Sequence, residues 1–356
     1  MGKCMYERVE DMREINGDTC HKLLLEKQKP ILSFNEDEDF SIWKEAVREK
    51  LSQLLGLTTI AKNACPANLE IESQEQKKGY TCIRFSFESE IGAFVPCYLL
   101  IPDTGKEKYP VAVCMQGHST GFHRSIGIVK EKNDEIETQN NAYALQAVEN
   151  GFIALAIEQR GFGERRSRIS YGKDNIMYSR GHMCVVTAMQ AVNLGRTIIG
   201  ERVWDVQRAL DVISNFPQCD MERIIIVGHS AGGTATFYTA CMDERISIAI
   251  PSGAFCSYRA SIMSIEHCAC NYIPSVCNWF EMEDLTCLIV PRKLIVVTGE
   301  NDKIFPISGV RSSFEVAKKI FIKAGAKDNC RLIETSKAHD WVEKVIWDVA
   351  KREINS

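Results

Sequence analysis

From residue 110 onward, short runs of apolar residues alternate with longer segments of mixed polarity. The runs are "PVAVCMQG", "FIALAIEQRG", "RIIIVGHS", "ISIAIPSG", "KLIVVTGEND" and "CRLIET". Runs of this kind are typical of strands that are buried on both faces of a parallel sheet. The segments between and after them have helical spacing and include "QNNAYALQAVENG", "VWDVQRALDVISNF", "GVRSSFEVAKKIFIKAGA" and "DWVEKVIWDVAKREI". Together they predict an α/β fold with a mostly parallel, doubly wound sheet.

Two elements are predicted before this region. The segment "SIWKEAVREKLSQLLG" has the spacing of an amphipathic helix, with Ser41 as its N-cap and Gly56 at its end. Residues 80–102 alternate in polarity with a break at residues 91–92, which predicts an antiparallel hairpin. The apolar face of the helix is predicted to contain Ile42, Trp43, Ala46, Val47, Leu51, Leu54 and Leu55. We therefore predict an N-terminal helical extension over 1–66 and a main α/β domain over 67–356.

One long stretch interrupts the alternation of strands and helices. Residues 252–290 place irregular or helical sequence between two predicted strands. In an open α/β sheet, the ligand crevice lies at the carboxyl ends of the strands. An insertion that leaves the sheet there is predicted to form a cap over that crevice.

Composition and charge exclude some classes of protein. The chain has 356 residues, is 45% hydrophobic and 25% charged, and has a formal net charge of −4, so nothing in its charge points to a nucleic-acid partner. The N-terminus has no apolar segment typical of a secretory signal, and no apolar stretch approaches the ~18 residues of a membrane span. We therefore expect a cytoplasmic protein without a membrane partner, and the oligomeric state stays open.

The chain contains fifteen scattered cysteines, most of them inside apolar runs. Without an export signal, these are expected to be reduced core residues. The segment "HCACNYIPSVC" combines His267, Cys268, Cys270 and Cys277. Zinc ligands usually come as pairs spaced C-x₂₋₄-C, and this spacing is a poor match. We therefore expect a packing role for these residues, and no metal and no cofactor.

The segment "IIIVGHSAGG" ends a predicted strand with a serine between glycines. Residues 228–232 match G-x-S-x-G, in which the serine occupies a sharp strand-to-helix turn and the glycines remove side chains that would collide. A predicted strand precedes the motif and a predicted helix follows it, so we predict that Ser230 is a nucleophile. His229, inside the motif, is expected to pack. The alternative is a glycine-rich turn without chemistry.

A serine hydroxyl needs a base to take its proton, and histidine is the usual base because its pKa lies near neutrality. In folds with this turn the chain order is serine, acid, histidine, which leaves His267 and His339 downstream. His339 follows the last predicted strand, so we predict that it is the base. Asp302 is predicted to orient it. Glu300 is less favoured, because the chain needs a few residues to turn toward the crevice.

Negative charge that develops on an acyl oxygen needs hydrogen-bond donors that are already in place. The amide of Ala231, directly after the serine, and the amide of His118, in the loop "CMQGHSTGFHR", are the predicted donors. Gly117 allows the backbone to approach closely. The alternative for residues 116–118 is an ordinary turn at the end of a strand.

The segment "EQRGFGERRSR" is rich in arginine. Arg160 is predicted to hold neighbouring loops together by hydrogen bonds rather than to contact a substrate. Arg165, Arg166 and Arg168 are predicted to lie on a solvated loop.

The order of "QGH", "EQRGFG", "GHSAGG", "GENDKIFP" and "AHDW" resembles the α/β-hydrolase superfamily over residues 80–356. The helix at 41–56 and the stretches "LGRTIIGERVWDVQRALD" and "HCACNYIPSV" are similar to its acetyl xylan esterase and dienelactone-hydrolase-like branch. The resemblance implies the α/β-hydrolase fold and a triad of Ser230, Asp302 and His339, with His118 and Ala231 as oxyanion donors. Dienelactone hydrolases use a cysteine nucleophile, so serine favours an esterase. The resemblance also implies a small acyl group such as acetyl.

Three functions are compatible with this pattern. The first is a serine hydrolase that forms an acyl-enzyme from a small-molecule ester, for which an acylated carbohydrate is one candidate. The second is a peptidase of the prolyl-oligopeptidase type, although roughly 80 preceding residues are too few for the large β-propeller of those enzymes. The third is a binding protein that keeps the fold without catalysis. A full set of triad candidates in the expected order argues against the third.

Overall fold

The computed structural model describes residues 17–130, 140–167 and 184–355. Within these ranges, no helix combines the length and the apolar character that are needed to cross a lipid bilayer. The described strands form a single sheet.

The sheet has nine strands, and helices connect most of the strands in its parallel part. The strands are β1 (Glu70–Lys77), β2 (Tyr80–Glu90), β3 (Ala93–Pro102), β4 (Tyr109–Met115), β5 (Ile153–Ile157), β6 (Cys219–His229), β7 (Ile246–Ser252), β8 (Lys293–Gly299) and β9 (Cys330–Thr335). The helices are α1 (Thr19–Lys27), α2 (Phe40–Leu55), α3 (Leu57–Ala61), α4 (Tyr143–Glu149), α5 (Val185–Asn193), α6 (Ile198–Ile213), α7 (Ala231–Met242), α8 (Ile307–Lys323) and α9 (Glu343–Ile354).

The strand order is β1-β2-β3-β5-β4-β6-β7-β8-β9. The six strands from β5 to β9 in this order pair in parallel. The first three strands pair antiparallel with one another, and β3 pairs antiparallel with β5. Because parallel strands need crossover connections, the chain passes repeatedly over the faces of the sheet. This mostly parallel sheet confirms the predicted α/β fold.

Alternate residues of the central strands enter two different apolar cores. In β6, Ile224 and Ile226 belong to the larger core, which also contains side chains of α2, α6, α7 and α8. Ile225 and Val227 belong to the smaller core, together with α4 and α9. Side chains of a strand point alternately to the two faces of its sheet. Since both faces are covered, these strands are apolar throughout, which is the pattern visible in the sequence.

The predicted hairpin consists of β2 and β3, and its turn lies at Ile91 and Gly92. Gly92 has a φ of 81°, which favours glycine. β1 pairs with the outer side of β2 and was not predicted. All its residues are exposed, so its sequence "EIESQEQK" has no apolar face to reveal a strand. A charged edge strand also discourages pairing with other sheets.

Helix α2 is present as predicted, but its cap and its buried face differ from the prediction. Asp39, and not Ser41, caps the helix: its Oδ1 accepts hydrogen bonds from the amides of Ser41 at 2.9 Å and Ile42 at 3.0 Å. Gly56 ends the helix with a φ of 78°, as predicted. The buried residues are Trp43, Val47, Leu51 and Leu55. Ile42 is 74% exposed, because it precedes this stripe on the first turn and reaches beyond the core.

Residues 253–292 connect β7 to β8 and contain three short 3₁₀ helices. The last of them, Asp284–Leu288, packs against α2, α7 and α8. The N-terminal chain joins this segment: the amides of Ile31 and Leu32 donate to the carbonyl oxygens of Asn278 at 3.0 Å and Trp279 at 2.6 Å. The extension and the connection therefore cover the same side of the sheet.

We predict that Leu51→Ala lowers the free energy of unfolding by about 2–5 kcal/mol, because Leu51 is completely buried in the larger core. Ile42→Ala on the same helix is the matched control, and it should change this free energy by less than about 0.5 kcal/mol. Urea unfolding followed by tryptophan fluorescence measures both. Equal effects of the two substitutions would contradict the packing of α2 on the domain.

Candidate active site

The turn between β6 and α7 holds its serine in a strained backbone conformation. Ser230 has φ 55° and ψ −125°, and it is one of three non-glycine residues with positive φ in the described part of the chain. Its amide donates a hydrogen bond of 2.9 Å to the carbonyl oxygen of Ser252 at the end of β7. Such strain costs about 1–3 kcal/mol and persists only where contacts with the surrounding structure hold the residue in that conformation.

Two glycines make this turn possible because main chains pass very close to them. A Cβ atom at Gly232 would lie 2.0 Å from the carbonyl oxygen of Met115, and a Cβ at Gly228 would lie 2.6 Å from the carbonyl carbon of Gly232. Helix α7 therefore begins directly against the end of β4. This contact places Ser230 at the carboxyl edge of the sheet.

Two of the predicted site residues contact each other. Nδ1 of His339 lies 2.7 Å from Oδ2 of Asp302. Asp302 follows β8 and His339 follows β9, and these strands are parallel neighbours, so both loops leave the same edge of the sheet. The other ring nitrogen of His339, Nε2, is buried and has no hydrogen-bond partner among the described residues.

Asp302 is held as a carboxylate. Its Oδ1 accepts hydrogen bonds from the amides of Ile304 at 2.8 Å and Phe305 at 3.1 Å. Burial acts to raise the pKa of Asp302, but the hydrogen bond and charge of His339 and the two amides outweigh burial and hold that pKa below its usual value. An ionised carboxylate at Nδ1 selects the tautomer of His339 whose Nε2 can accept a proton.

The two predicted amide donors lie on either side of Ser230. Ala231 is the first residue of α7, where backbone amides have no partner inside the helix. On the other side, a Cβ atom at Gly117 would lie 3.5 Å from the Cβ of Ser230 and 3.0 Å from the carbonyl oxygen of His229. The backbone just before His118 therefore contacts the turn. The role of both amides as donors stays a prediction.

Ser230 and His339 line one cleft with a volume of about 540 Å³. Its described lining comes from the loops after β4, β6, β8 and β9 and from the start of α4. Besides Ser230 and His339, the lining residues are Gln116, Gly117, His118, Ser119, Arg124, Asn140, Asn141, Tyr143, His229, Ile304, Asp340 and Trp341. None of these described residues comes from 252–290. That segment buries side chains such as Phe280, Leu285 and Leu288 in the larger core. The lining therefore gives no support to its predicted role as a cap.

A family model described as the Abhydrolase family matches residues 3–320. The chain belongs to the Abhydrolase family. This membership agrees with the observed sheet and confirms the α/β-hydrolase fold that the sequence motifs implied.

Named relatives of this Abhydrolase family member are distant in sequence. The protein named "Putative hydrolase YtaP" from Bacillus subtilis (strain 168) is 23% identical over 295 residues, which are 82% of this chain and 92% of that protein. A solved structure described as a "putative acetyl xylan esterase" from Bacteroides fragilis NCTC 9343 has a TM-score of 0.71 at 19% identity, with 92% of this chain and 84% of that chain covered. A glucuronoyl esterase from Solibacter usitatus has a TM-score of 0.62 at 14% identity, with 92% and 98% covered. The two structural likenesses show a common fold.

In this Abhydrolase family member, two rings pack beside His339. The ring centroid of Phe305 lies 6.0 Å from that of His339, and the ring centroid of His229 lies 4.6 Å from it. Nδ1 of His229 lies 3.0 Å from Oγ of Ser252. Burial, and then repulsion from His339, lowers the pKa of His229 to about 4. His229 is therefore neutral near pH 7 and adds no positive charge beside His339.

Glu158, which no sequence motif singled out, organises the loop that carries His118. The carboxylate of Glu158 accepts hydrogen bonds of 3.2 Å from the amide of Phe122 and from Nε2 of Gln116. Burial raises the pKa of Glu158 to about 7, although amide hydrogen bonds act against this shift. Glu158 thus ties both ends of the loop to the end of β5. Its position after an apolar run was visible in the sequence, but its partners lie in another segment.

Arg160 has the predicted structural role of joining segments, but its partners lie on β2 and α6 rather than on neighbouring loops. Its guanidinium pairs with three buried carboxylates, those of Glu90 at 2.7 Å, Glu201 at 3.3 Å and Asp205 at 3.0 Å. Arg165 also pairs with Asp205, at 2.7 Å, and its side chain is only 10% exposed. The predicted solvated loop is therefore wrong for Arg165, because the carboxylate of Asp205 on α6 pairs with its largely buried charge. Arg168 lies outside the described residues.

The residues of "HCACNYIPSVC" have different surroundings. Nε2 of His267 lies 2.9 Å from Oγ of Ser261, and Cys277 packs at the border of the larger core. Burial, and then repulsion from His339, lowers the pKa of His267 to about 4. The other two cysteines lie in a separate cluster, whose members are His118, Cys184, Cys268 and Cys270.

We predict that His229 lowers the free energy of unfolding as the pH is lowered from 7 to 5, whereas Glu158, with its pKa raised to about 7, acts in the opposite direction. The pKa of His229 is about 4 in the folded protein against an ordinary value of 6.5, so below pH 6.5 the unfolded chain binds a proton that the folded chain does not bind. The contribution of neutral His229 to the free energy of unfolding is complete above pH 6.5 and is lost as the pH falls toward 4. His229→Asn removes this titration, so the free energy of unfolding at pH 5, relative to pH 7, should be about 2 kcal/mol higher than in the wild type. Urea unfolding at both pH values measures it, and an unchanged pH dependence in the variant would contradict a neutral, buried His229.

Proposed function

We propose that this protein is a serine hydrolase that cleaves carboxylic esters. The observation that carries the proposal is the 2.7 Å contact between His339 and Asp302 at the cleft that also exposes the strained Ser230. Nε2 of His339, which has no hydrogen-bond partner among the described residues, is the atom that would take the serine proton. Without substrate, catalytic hydrogen bonds are often long, and they shorten when substrate binds.

In the proposed reaction, Oγ of Ser230 attacks the ester carbonyl carbon while Nε2 of His339 accepts the hydroxyl proton. His339 then gives this proton to the leaving alcohol, and the acyl group stays on Ser230 as an ester. A water molecule gives a proton to His339 and attacks the acyl-enzyme, which releases the acid and restores the serine. Asp302 remains ionised and stabilises the imidazolium that forms twice in this cycle, in keeping with its lowered pKa.

The oxygen of the attacked carbonyl becomes negatively charged in each half of the reaction. We propose that the amides of Ala231 and His118 donate hydrogen bonds to it. The first amide belongs to the N-terminus of α7, where the helix dipole also favours negative charge. Loss of one such donor typically lowers the rate by ~10²–10³.

The proposed substrate is an ester with a small acyl group, such as acetyl, on a polar alcohol, and an acylated carbohydrate is the favoured class. The cleft of about 540 Å³ falls in the range of small-molecule pockets, which is ~300–1,000 Å³. Gln116, Asn140, Asn141 and Asp340 in its wall can form hydrogen bonds with sugar hydroxyl groups. The printed names of two fold relatives, acetyl xylan esterase and glucuronoyl esterase, support an ester of a carbohydrate.

The described residues before the sheet favour an esterase over a peptidase of the prolyl-oligopeptidase type. Residues 17–69 contain α1, α2 and α3 and no strand longer than a bridge in the part that the structure describes. A β-propeller needs several four-stranded blades. The described N-terminal region therefore has no element of the gating domain that such peptidases usually carry.

We predict that Ser230→Ala lowers kcat/KM for p-nitrophenyl acetate by at least about 10³-fold, because the attacking oxygen is lost. Ser247→Ala is the matched control, since Ser247 on β7 donates its hydroxyl hydrogen to the carbonyl oxygen of Glu222 at 3.0 Å, at the opposite end of the strand from the cleft. A fluorophosphonate should label the wild type and this control, but not Ser230→Ala.

A panel of esters with increasing acyl length, assayed with the same three proteins, tests the substrate class. Activity should be highest with acetyl esters, including acetylated sugars. A wild type that hydrolyses no ester of the panel, or a Ser230→Ala variant that keeps wild-type activity, would sink the proposed function.

We predict that Asp302→Asn lowers kcat by about 10³–10⁴-fold and changes KM little, because Asp302 contacts His339 and does not line the cleft. The asparagine amide can donate to Nδ1, which would leave the proton on the wrong nitrogen of His339. Glu300→Gln is the matched control, since Glu300 is the neighbouring exposed acid, and it should keep the wild-type kcat. Equal loss in both variants would contradict the assigned acid.

A further inference from the structure

Four side chains from three distant segments meet beside the proposed active site, and we call them the Cys₃His cluster. They are His118 after β4, Cys184 before α5, and Cys268 and Cys270 between β7 and β8. Nε2 of His118 and the three sulfur atoms all lie within 4.8 Å of one another. Nothing in the cleft chemistry proposed above uses the three thiols.

Two of the spacings between these atoms are close to those of a tetrahedral metal site. Nε2 of His118 lies 3.7 Å from Sγ of Cys270 and 3.9 Å from Sγ of Cys184. Zinc binds sulfur at ~2.3 Å and imidazole nitrogen at ~2.0–2.1 Å, so a tetrahedron of such bonds sets the ligand atoms ~3.6–3.8 Å apart. Three thiolates and one imidazole are also a known ligand set of structural zinc sites.

A buried positive charge faces the same cluster. Arg202 on α6 is 1% exposed, and its Nη2 donates a hydrogen bond of 3.3 Å to Sγ of Cys184. Among the described residues its guanidinium has no carboxylate partner, its Nη1 has no hydrogen-bond partner, and its remaining bonds go to the carbonyl oxygen of Arg160. A divalent zinc with three thiolates has a net charge of −1, which would neutralise this guanidinium. Three neutral thiols would leave it without an ionic partner among the described residues, with only the carbonyl oxygen of Arg160 and the ring of Phe162, 4.4 Å away, beside it, and a buried charge without an ionic partner is costly.

Other buried cysteines of the chain lack such surroundings. Cys97, Cys114 and Cys241 are completely buried single thiols inside the two apolar cores. Burial raises the pKa of all three thiols, which keeps them protonated and inert. The cysteines of the Cys₃His cluster are instead grouped around an imidazole, and Cys184 accepts a hydrogen bond from the guanidinium of Arg202.

We propose that the Cys₃His cluster binds one zinc ion. All four positions of the tetrahedron are filled by protein atoms, so the ion has no open position for a substrate and its role is structural. Zinc links the loop after β4 to the start of α5 and to the 253–292 connection. It adds a bridge to the apolar contacts that already join Cys184 and Cys270 to Phe162 and Ala231.

The ion has a second effect, which rests on the proposed function. His118 would supply both a metal ligand through its side chain and an oxyanion donor through its amide. Ala231, the other proposed donor, belongs to the small apolar cluster that contains Cys184 and Cys270. Zinc bound there fixes the main chain of His118 relative to the start of α7. The site therefore sets the distance between the two oxyanion donors.

The test begins with the metal content of the full-length protein, purified under reducing conditions without chelator. Plasma mass spectrometry should find one zinc per chain, and a thiol-binding mercurial should release it to a colorimetric dye. Cys268→Ser and Cys270→Ser should each lower the zinc content by at least about tenfold. Cys277→Ser is the matched control from the same segment, since Cys277 lies outside the Cys₃His cluster, and it should keep one zinc.

A second measurement does not depend on variants that fold. Wild type grown with cobalt(II) should show the intense visible bands of a tetrahedral cobalt ion and the charge-transfer bands of cobalt–thiolate bonds. A wild type that contains no zinc and takes up no cobalt overturns the proposal. So does a disulfide between any two of Cys184, Cys268 and Cys270 in the freshly purified wild type.

Activity distinguishes the site from the proposed function. In Cys268→Ser, kcat for p-nitrophenyl acetate should fall by about 10²-fold if zinc positions the His118 amide, with a smaller change in KM. If the wild type contains zinc but hydrolyses no ester, the metal site is supported and the proposed function is contradicted. If the wild type hydrolyses esters but contains no zinc, the proposed function is supported and the metal site is contradicted.

Discussion

The site depends on one close contact, in which helix α7 begins against the carboxyl end of β4. Side chains at Gly228 and Gly232 would collide with the main chain there, so only glycine permits the turn. The same contact forces Ser230 into its strained conformation at the edge of the sheet. It also brings the backbone of Gly117 against the turn, and hence the loop after β4 toward the serine. Adding a single methyl group at either glycine would therefore displace Ser230 and the loop after β4 relative to each other.

Three of the histidines near this edge, His229, His267 and His339, differ in their surroundings. His229 and His267 each have a pKa lowered to about 4, because burial and the neighbouring His339 both disfavour a positive charge. His339 alone contacts a carboxylate, that of Asp302, at 2.7 Å. The contact with Asp302 therefore singles out this imidazole among the three as the proposed base. In the proposed reaction, a proton from Ser230 has a single destination.

Irregular segments around the sheet are tied by polar groups rather than by apolar packing alone. Glu158 anchors the loop after β4 through an amide and a side-chain donor, and Arg160 gathers carboxylates from the hairpin and α6. Arg160 can be buried because its charge is paired, and Glu158 can be buried because its oxygens accept hydrogen bonds. Arg202 connects Arg160 to the proposed zinc ligands, because its guanidinium donates to the carbonyl oxygen of Arg160 and to Sγ of Cys184. Loops held in this way keep fixed positions without secondary structure, as a preorganised site requires.

The sequence by itself determined the α/β fold and the hairpin at 91–92, because each depends on local periodicity. It also predicted the pairing of Asp302 with His339, because both follow neighbouring strands, and the structure places the two in contact. It did not determine the exposure of Ile42, the burial of Arg165 or the role of Glu158, since each depends on partners in other segments. The same limit explains the cysteines. Spacing joined Cys268 to His267 and Cys277, whereas the tertiary structure joins it to His118 and Cys184. Side chains so far apart in the chain become neighbours only when the crossovers of a parallel sheet bring several loops to one edge. Such long-range contacts cannot be predicted from local sequence patterns.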